Sequence, residues 1–138
     1  MNLTKIIKGG GKKMKVLLIE DRKWSSWEEM TEALLSHKEI ELSFCDSKQA
    51  TNVLRHSPVD VCVIDACSGS DRQTITTALA RQIKDFFKGT MIAVSAIPFS
   101  RIPMLRAGCT YSCSKGNLPK ILILLASLLA AKNSLQEF

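Results

Sequence analysis

Glu20 and Asp21 are adjacent acids at the end of a short apolar run, and Asp65 closes another such run. Ser95 follows a third, and Lys115 follows a shorter, more polar stretch. Carboxylates gathered in one place repel unless a cation joins them. A hard cation that takes oxygen ligands and keeps part of its water, magnesium above all, suits such a set. A lysine and a hydroxyl alongside suit a phosphoryl group, and a carboxylate accepts one as an acyl phosphate. Most of the catalysis of that transfer is positioning and charge neutralisation. Taken singly, each residue has a plainer reading: a polar strand end for Asp65, a surface acid for Glu20, a turn hydroxyl for Ser95, a solvated side chain for Lys115. The chemistry requires a fold that brings them together.

The pattern along the chain predicts such a fold. Residues 15–19 read as a buried strand closed by the acid pair. Residues 25–36 read as a helix, with Ser26 and Glu29 as a capping box and Trp27, Met30 and Leu34 on one face. Residues 40–45 alternate apolar and polar, the pattern of a half-exposed strand. A second helix is expected over 47–56, capped by Asp46 or Ser47 and ended by Ser57-Pro58. Residues 61–64 form an uninterrupted apolar run, as in fully buried parallel strands. A polar turn at 68–71 leads to a helix over 74–87, stopped by Lys88-Gly89. Residues 91–94 read as another buried strand. Residues 100–107 read as a short helix interrupted by Pro103 and closed by Gly108. A more polar fifth strand follows at 109–114, then a last helix over 117–132, capped by Asn117 with Pro119 in its first turn. Five strand–helix repeats imply an α/β fold, a doubly wound five-stranded parallel sheet with helices on both faces. Ligands of such sheets bind beyond the carboxyl ends of the strands, where Glu20, Asp21, Asp65, Ser95 and Lys115 all fall.

In order and spacing, residues 15–21 (KVLLIED), 59–65 (VDVCVID), 94–96 (VSA), 107–108 (AG) and 114–115 (SK) resemble the motifs of response-regulator receiver domains, flavodoxin-like in fold. The resemblance covers about Met14 to Lys132. It implies strand order 2-1-3-4-5, a receiver domain over 14–138 and a flexible basic tail over 1–13. It implies that Asp65 is the phosphoacceptor and that Glu20, Asp21, Asp65 and the backbone carbonyl of Cys67 hold magnesium. Ser95 would be the hydroxyl that turns toward the phosphoryl group, Ala96 the small residue that leaves room for it, and Lys115 its cationic partner. The expected partners are a sensor histidine kinase or histidine phosphotransfer protein, and an effector or second copy docked on the fourth helix, fifth strand and fifth helix. Side chains at Cys67 and Ile97 would flank attacking water, and neither orients it, which implies slow self-hydrolysis. Three positions depart from the family pattern: Gly116 where proline usually follows the lysine, Ser112 where an aromatic usually sits, and Gly69 where proline is common. Tyr111 is one place early and should face the other way.

Composition agrees with one folded domain: 138 residues, 46% of them hydrophobic. No apolar run reaches the roughly 20 residues of a membrane span, and the N-terminus has no secretory pattern. A cytoplasmic location is expected, with no membrane contact. The net charge of +6 is concentrated ahead of the first strand in Lys5, Lys8, Lys12 and Lys13, so direct nucleic-acid binding is not expected. Residues 9–14 have purine-rich codons, which fits a translated ribosome-binding region with Met14 as the natural start. Five cysteines, at 45, 62, 67, 109 and 113, without CxxC spacing, read as buried small hydrophobes. The last helix is apolar around most of its circumference from Ile121 to Ala126, more than one sheet contact needs. A signalling phosphoacceptor, not a turnover enzyme, is the expected function. A pseudo-receiver acting only as a protein-binding module is the alternative. A phosphohydrolase is disfavoured because its Asp-x-Asp would follow the first strand.

Overall fold

The computed structural model describes residues 13–20, 32–34, 36–66, 70–95 and 98–136, with side chains for all but 70–75, 98 and 134–136. Five parallel strands form one sheet in the order β2-β1-β3-β4-β5: β1 (Met14–Ile19), β2 (Ile40–Cys45), β3 (Val61–Asp65), β4 (Thr90–Val94) and β5 (Tyr111–Cys113). The helices among the described residues are α1 (Ser47–His56), α2 (Ser70–Phe86), α3 (Pro98–Arg106) and α4 (Leu118–Gln136), the last entered through a 3-10 turn at Lys115–Asn117. Residues 32–34 are also helical. The rest of the helix expected over 25–36 lies outside the described residues, as do the basic tail and most of the turn at 68–71.

Alternation along the strands divides the core. Leu17, Ile19, Cys62, Ile64, Met91 and Ala93 meet Ala50 and Leu54 of α1, Leu79 and Ile83 of α2 and Met104 of α3. Val16, Leu18, Val63, Ile92, Val94 and Cys113 meet Leu34 and, from α4, Leu118, Leu122 and Ala126. The sheet is covered on both faces, which is why β1, β3 and β4 carry apolar residues at nearly every position. β2, an edge strand, alternates as expected from Ile40 to Ser43, but Phe44 is 48% exposed and breaks the pattern.

Local chemistry sets the boundaries. Asp46 caps α1, its Oδ1 accepting from the Gln49 amide at 2.9 Å. At the other end, the Ser57 amide closes on the Val53 carbonyl. Arg55 lies over the Phe86 ring at 4.2 Å and ties α1 to α2. Gly108, at φ +124°, lets the chain turn back from α3 without the clash a Cβ would meet. Several expectations need correction. Ser70 and Asp71 belong to α2, not to a turn; both are residue types that also open helices. β5 is three residues long, not six, because Cys109 is buried against α3 and only Tyr111 to Cys113 pair with β4. Asn117, which directly precedes the last helix, also ends the 3-10 turn and donates its amide to Ser114 Oγ, the cap of that turn, at 3.3 Å.

Candidate functional site at the carboxyl edge of the sheet

The strand ends are aligned by register. Ile19 pairs with Ile64, Asp65 with Val94, and Val94 with Cys113. The ladder continues one residue past three of the strands: Glu20 N–H donates to Cys45 O at 3.0 Å, Ala66 N–H to Val94 O at 2.8 Å, and Ser95 N–H to Cys113 O at 3.1 Å. Glu20, Asp65 and Ser95 are thereby fixed on one rim by backbone bonds. Neighbouring strands lie about 4.8 Å apart, so Glu20 and Asp65 are close neighbours.

Asp65 is the last residue of β3, its side chain 11% exposed. Lys115 opens the 3-10 turn, and its Nζ lies 3.9 Å from Asp65 Oδ2. The pair spans the end of β4, which lies between β3 and β5 and is followed by the buried Ser95. An ion pair this long and partly exposed adds little to stability; its value is to hold a cation over a carboxylate. On the other side, Glu20 has one buried carboxylate oxygen, Oε2. Among the described residues no three His, Cys, Asp or Glu side chains form a cluster able to hold a metal. Two of the four expected ligands, Asp21 and Cys67, lie outside the described residues, as do Ala96 and Ile97. Glu20 and Asp65 are hard oxygen donors on adjacent strand ends, one with a carboxylate oxygen turned into the protein, and this donor chemistry fits magnesium.

The departures from the family pattern have structural answers. Gly116 sits in the 3-10 turn, its φ is not left-handed, and a Cβ there would touch nothing. The turn that follows Lys115 is closed by the Ser114 side chain, which accepts from the Asn117 amide. Ser112 is half-buried and Tyr111 is 44% exposed on the opposite face of β5, so no aromatic of this strand turns toward the rim.

Of the four described cysteines, Cys62, Cys109 and Cys113 are buried as expected, and Cys45 is half-buried. Burial, aided by the nearby Cys109 and Cys45 thiols, pushes Cys62 far above the ordinary range. Burial raises Cys109 to about 12 against the opposing pull of Lys84. Cys113 is also raised by burial, with Arg101 pulling the other way. These thiols stay protonated near neutral pH and pack as small hydrophobes. Arg101 went unnoticed in the sequence. It lies on α3 near Cys113, with Nε buried and without a hydrogen-bond partner. Its only signal is its place three residues before Met104, on the buried side of a helix of nine residues.

The strand order and the rim define the class of fold: the flavodoxin-like receiver fold. No family model matches the chain, and no curated protein sequence matches it significantly. Solved structures of receiver domains match most of it. The receiver domain of the Francisella response regulator 1452 is 20% identical, with a TM-score of 0.66 over 88% of this chain and 99% of that one. A response regulator from Thermotoga maritima is 17% identical, with a TM-score of 0.67 over 83% of this chain and 98% of its own. The isolated receiver domain of RcsB from Salmonella enterica serovar Typhimurium, solved with the phosphomimetic BeF3-, is 20% identical, with a TM-score of 0.65 over 84% and 90%. Among the described residues no helix is long and apolar enough to cross a membrane.

Proposed function

We propose that this chain is a signalling phosphoacceptor whose Asp65 is phosphorylated in a magnesium-dependent reaction. The observation that carries the reading is Lys115 Nζ standing 3.9 Å from Asp65 Oδ2 on a rim shared with Glu20 and Ser95. An oxygen of the Asp65 carboxylate forms a bond to phosphorus while the bond from phosphorus to the donor's leaving atom breaks. The electron pair leaves with the donor, which takes up a proton. Lys115 pairs with the incoming phosphoryl oxygens, and the Ser95 hydroxyl donates to one of them. Glu20, Asp21, Asp65 and the Cys67 carbonyl would hold the magnesium ion, which when bound supplies the remaining charge neutralisation. The donor would be a sensor histidine kinase or a histidine phosphotransfer protein, in the cytoplasm.

Output would pass through α3, β5 and α4. Phe99 and Ile102 of α3, Tyr111 of β5, and Leu124 and Leu128 of α4 are all exposed large hydrophobics, Phe99 at 81%. Scattered surface apolar groups need no explanation, but these together with Leu105 of α3, six on three adjacent elements, support a docking face for an effector or a second copy. The half-buried Ser112 favours a second reading, a pseudo-receiver that binds partners without phosphorylation. Intact-mass analysis with a small phosphodonor separates the two. A magnesium-dependent phosphate adduct, absent in Asp65→Asn, is expected; no adduct and no magnesium binding would leave the pseudo-receiver.

A further inference from the structure

Arg101 presents a problem that the rim chemistry does not explain. A guanidinium keeps its charge at every accessible pH and carries five donors with no acceptor. Here Nε is buried without a hydrogen-bond partner, on a helix packed against β4 and β5. The Cys113 thiol beside it is held protonated by burial and supplies no counter-charge. Of the rim carboxylates described, Asp65 already faces Lys115 and Glu20 lies on the far side of β3, at the end of β1. A buried donor of this kind is complementary to an anion.

The rim is where such an anion would form. Cys113, next to Arg101, ends β5, and Asp65 ends β3, with only β4 between them. Two strand spacings are about 10 Å, a gap that a turned arginine side chain and a small shift of α3 would close. The intervening strand ends at Val94 and is followed by the buried Ser95, and the small Ser112 of β5 stands opposite Ala93.

We propose that Arg101 is a phosphoryl-reading residue: its guanidinium, whose Nε is buried without a hydrogen-bond partner, turns inward to the phosphoryl group on Asp65 and draws α3 with it. This rests on Asp65 phosphorylation. It gives α3 a cationic link to the rim in a chain whose fifth strand has no aromatic at position 112.

The test uses the full chain and its Arg101→Met and Arg101→Lys variants, with beryllofluoride plus magnesium as the probe. Replacing this half-buried arginine by an apolar side chain of similar length removes a buried, unsatisfied N–H and should leave the melting temperature of the unliganded protein unchanged or raised. Beryllofluoride affinity of Arg101→Met should fall about tenfold or more, with Arg101→Lys recovering part of it. Hydrogen exchange in residues 98–106 should respond to beryllofluoride in the wild type and not in Arg101→Met. A residue with only a packing role would lose melting temperature and keep its affinity, which would overturn the proposal. Equal affinity and an equal exchange response in Arg101→Met would overturn it too. If the wild type binds no beryllofluoride and forms no phosphate adduct, the phosphoacceptor reading falls, and this inference with it. An adduct on the wild type together with an unaffected Arg101→Met removes this inference alone.

Discussion

Asp60 and Asp65 stand at opposite ends of the same buried strand, and their surroundings assign them opposite work. Asp60 is bound by the fold: its carboxylate accepts the Lys15 amide at 2.8 Å, its own amide donates to Lys15 O at 2.8 Å, and its carbonyl accepts the Thr90 amide at 3.0 Å. Gly89 is bare because a Cβ would collide with that same carbonyl and with the Phe87 ring. Asp65 has a lysine at ion-pair distance, a neighbouring strand that ends in Glu20, and a place on the rim. At the amino edge the acid closes backbone bonds between strands. At the carboxyl edge the acid is held at long range by a cation, an arrangement that stabilises little and can rearrange around a new group.

Four substitutions or conditions sharpen that contrast. The largest effect is expected from Lys115→Met, which should lower the rate of Asp65 phosphorylation by a small-molecule donor about a hundredfold. Its melting temperature should be nearly unchanged, since so long and exposed a pair adds little stability. A Lys115→Met protein that phosphorylates at the wild-type rate would put the two aspartates on an equal footing.

Alkaline pH should act on the buried thiols. Cys109 is raised from 9.0 to about 12 in the folded chain, so the folded state holds its proton more tightly than the unfolded state does. Its contribution to stability is complete below pH 9 and is lost as pH rises toward about 12. Urea midpoints should therefore fall across that window, and Cys109→Ala should fall less steeply. Parallel slopes would remove the assignment.

Asp60→Ala should cost about 1 kcal/mol of stability by orphaning the Lys15 amide, and should leave the yield of phosphate adduct unchanged. Chemical denaturation and intact mass on one preparation measure both. Gly116→Ala is the smallest effect, a gain of about 0.4–1 kcal/mol, because its φ is not left-handed and its Cβ meets open space. A loss of stability there would mean that the turn after Lys115 needs glycine.

Much of this arrangement was legible in the sequence. The run Val61 to Ile64 and the run Met91 to Val94 are unbroken because both sheet faces are covered, and each places its terminal polar residue on the rim without further argument. The first turn of α2 and the extent of β5 were misjudged, since Ser and Asp serve turns and helix starts alike, and Cys109 looks the same whether it packs on a helix or lies in a strand. The 3-10 turn capped by Ser114 was not foreseen, since three residues between a strand and a helix carry no periodicity. Arg101 was invisible for a different reason: the burial of its Nε depends on how α3 meets β5, which no local pattern encodes.

The central claim is that Asp65, and not Asp60, is the chemical aspartate. Intact mass after incubation with a small phosphodonor, with and without magnesium, tests it on the wild type, Asp65→Asn and Asp60→Asn. The account predicts one magnesium-dependent phosphate on the wild type and on Asp60→Asn, and none on Asp65→Asn. An adduct that survives Asp65→Asn, or no adduct on any of the three, would contradict it.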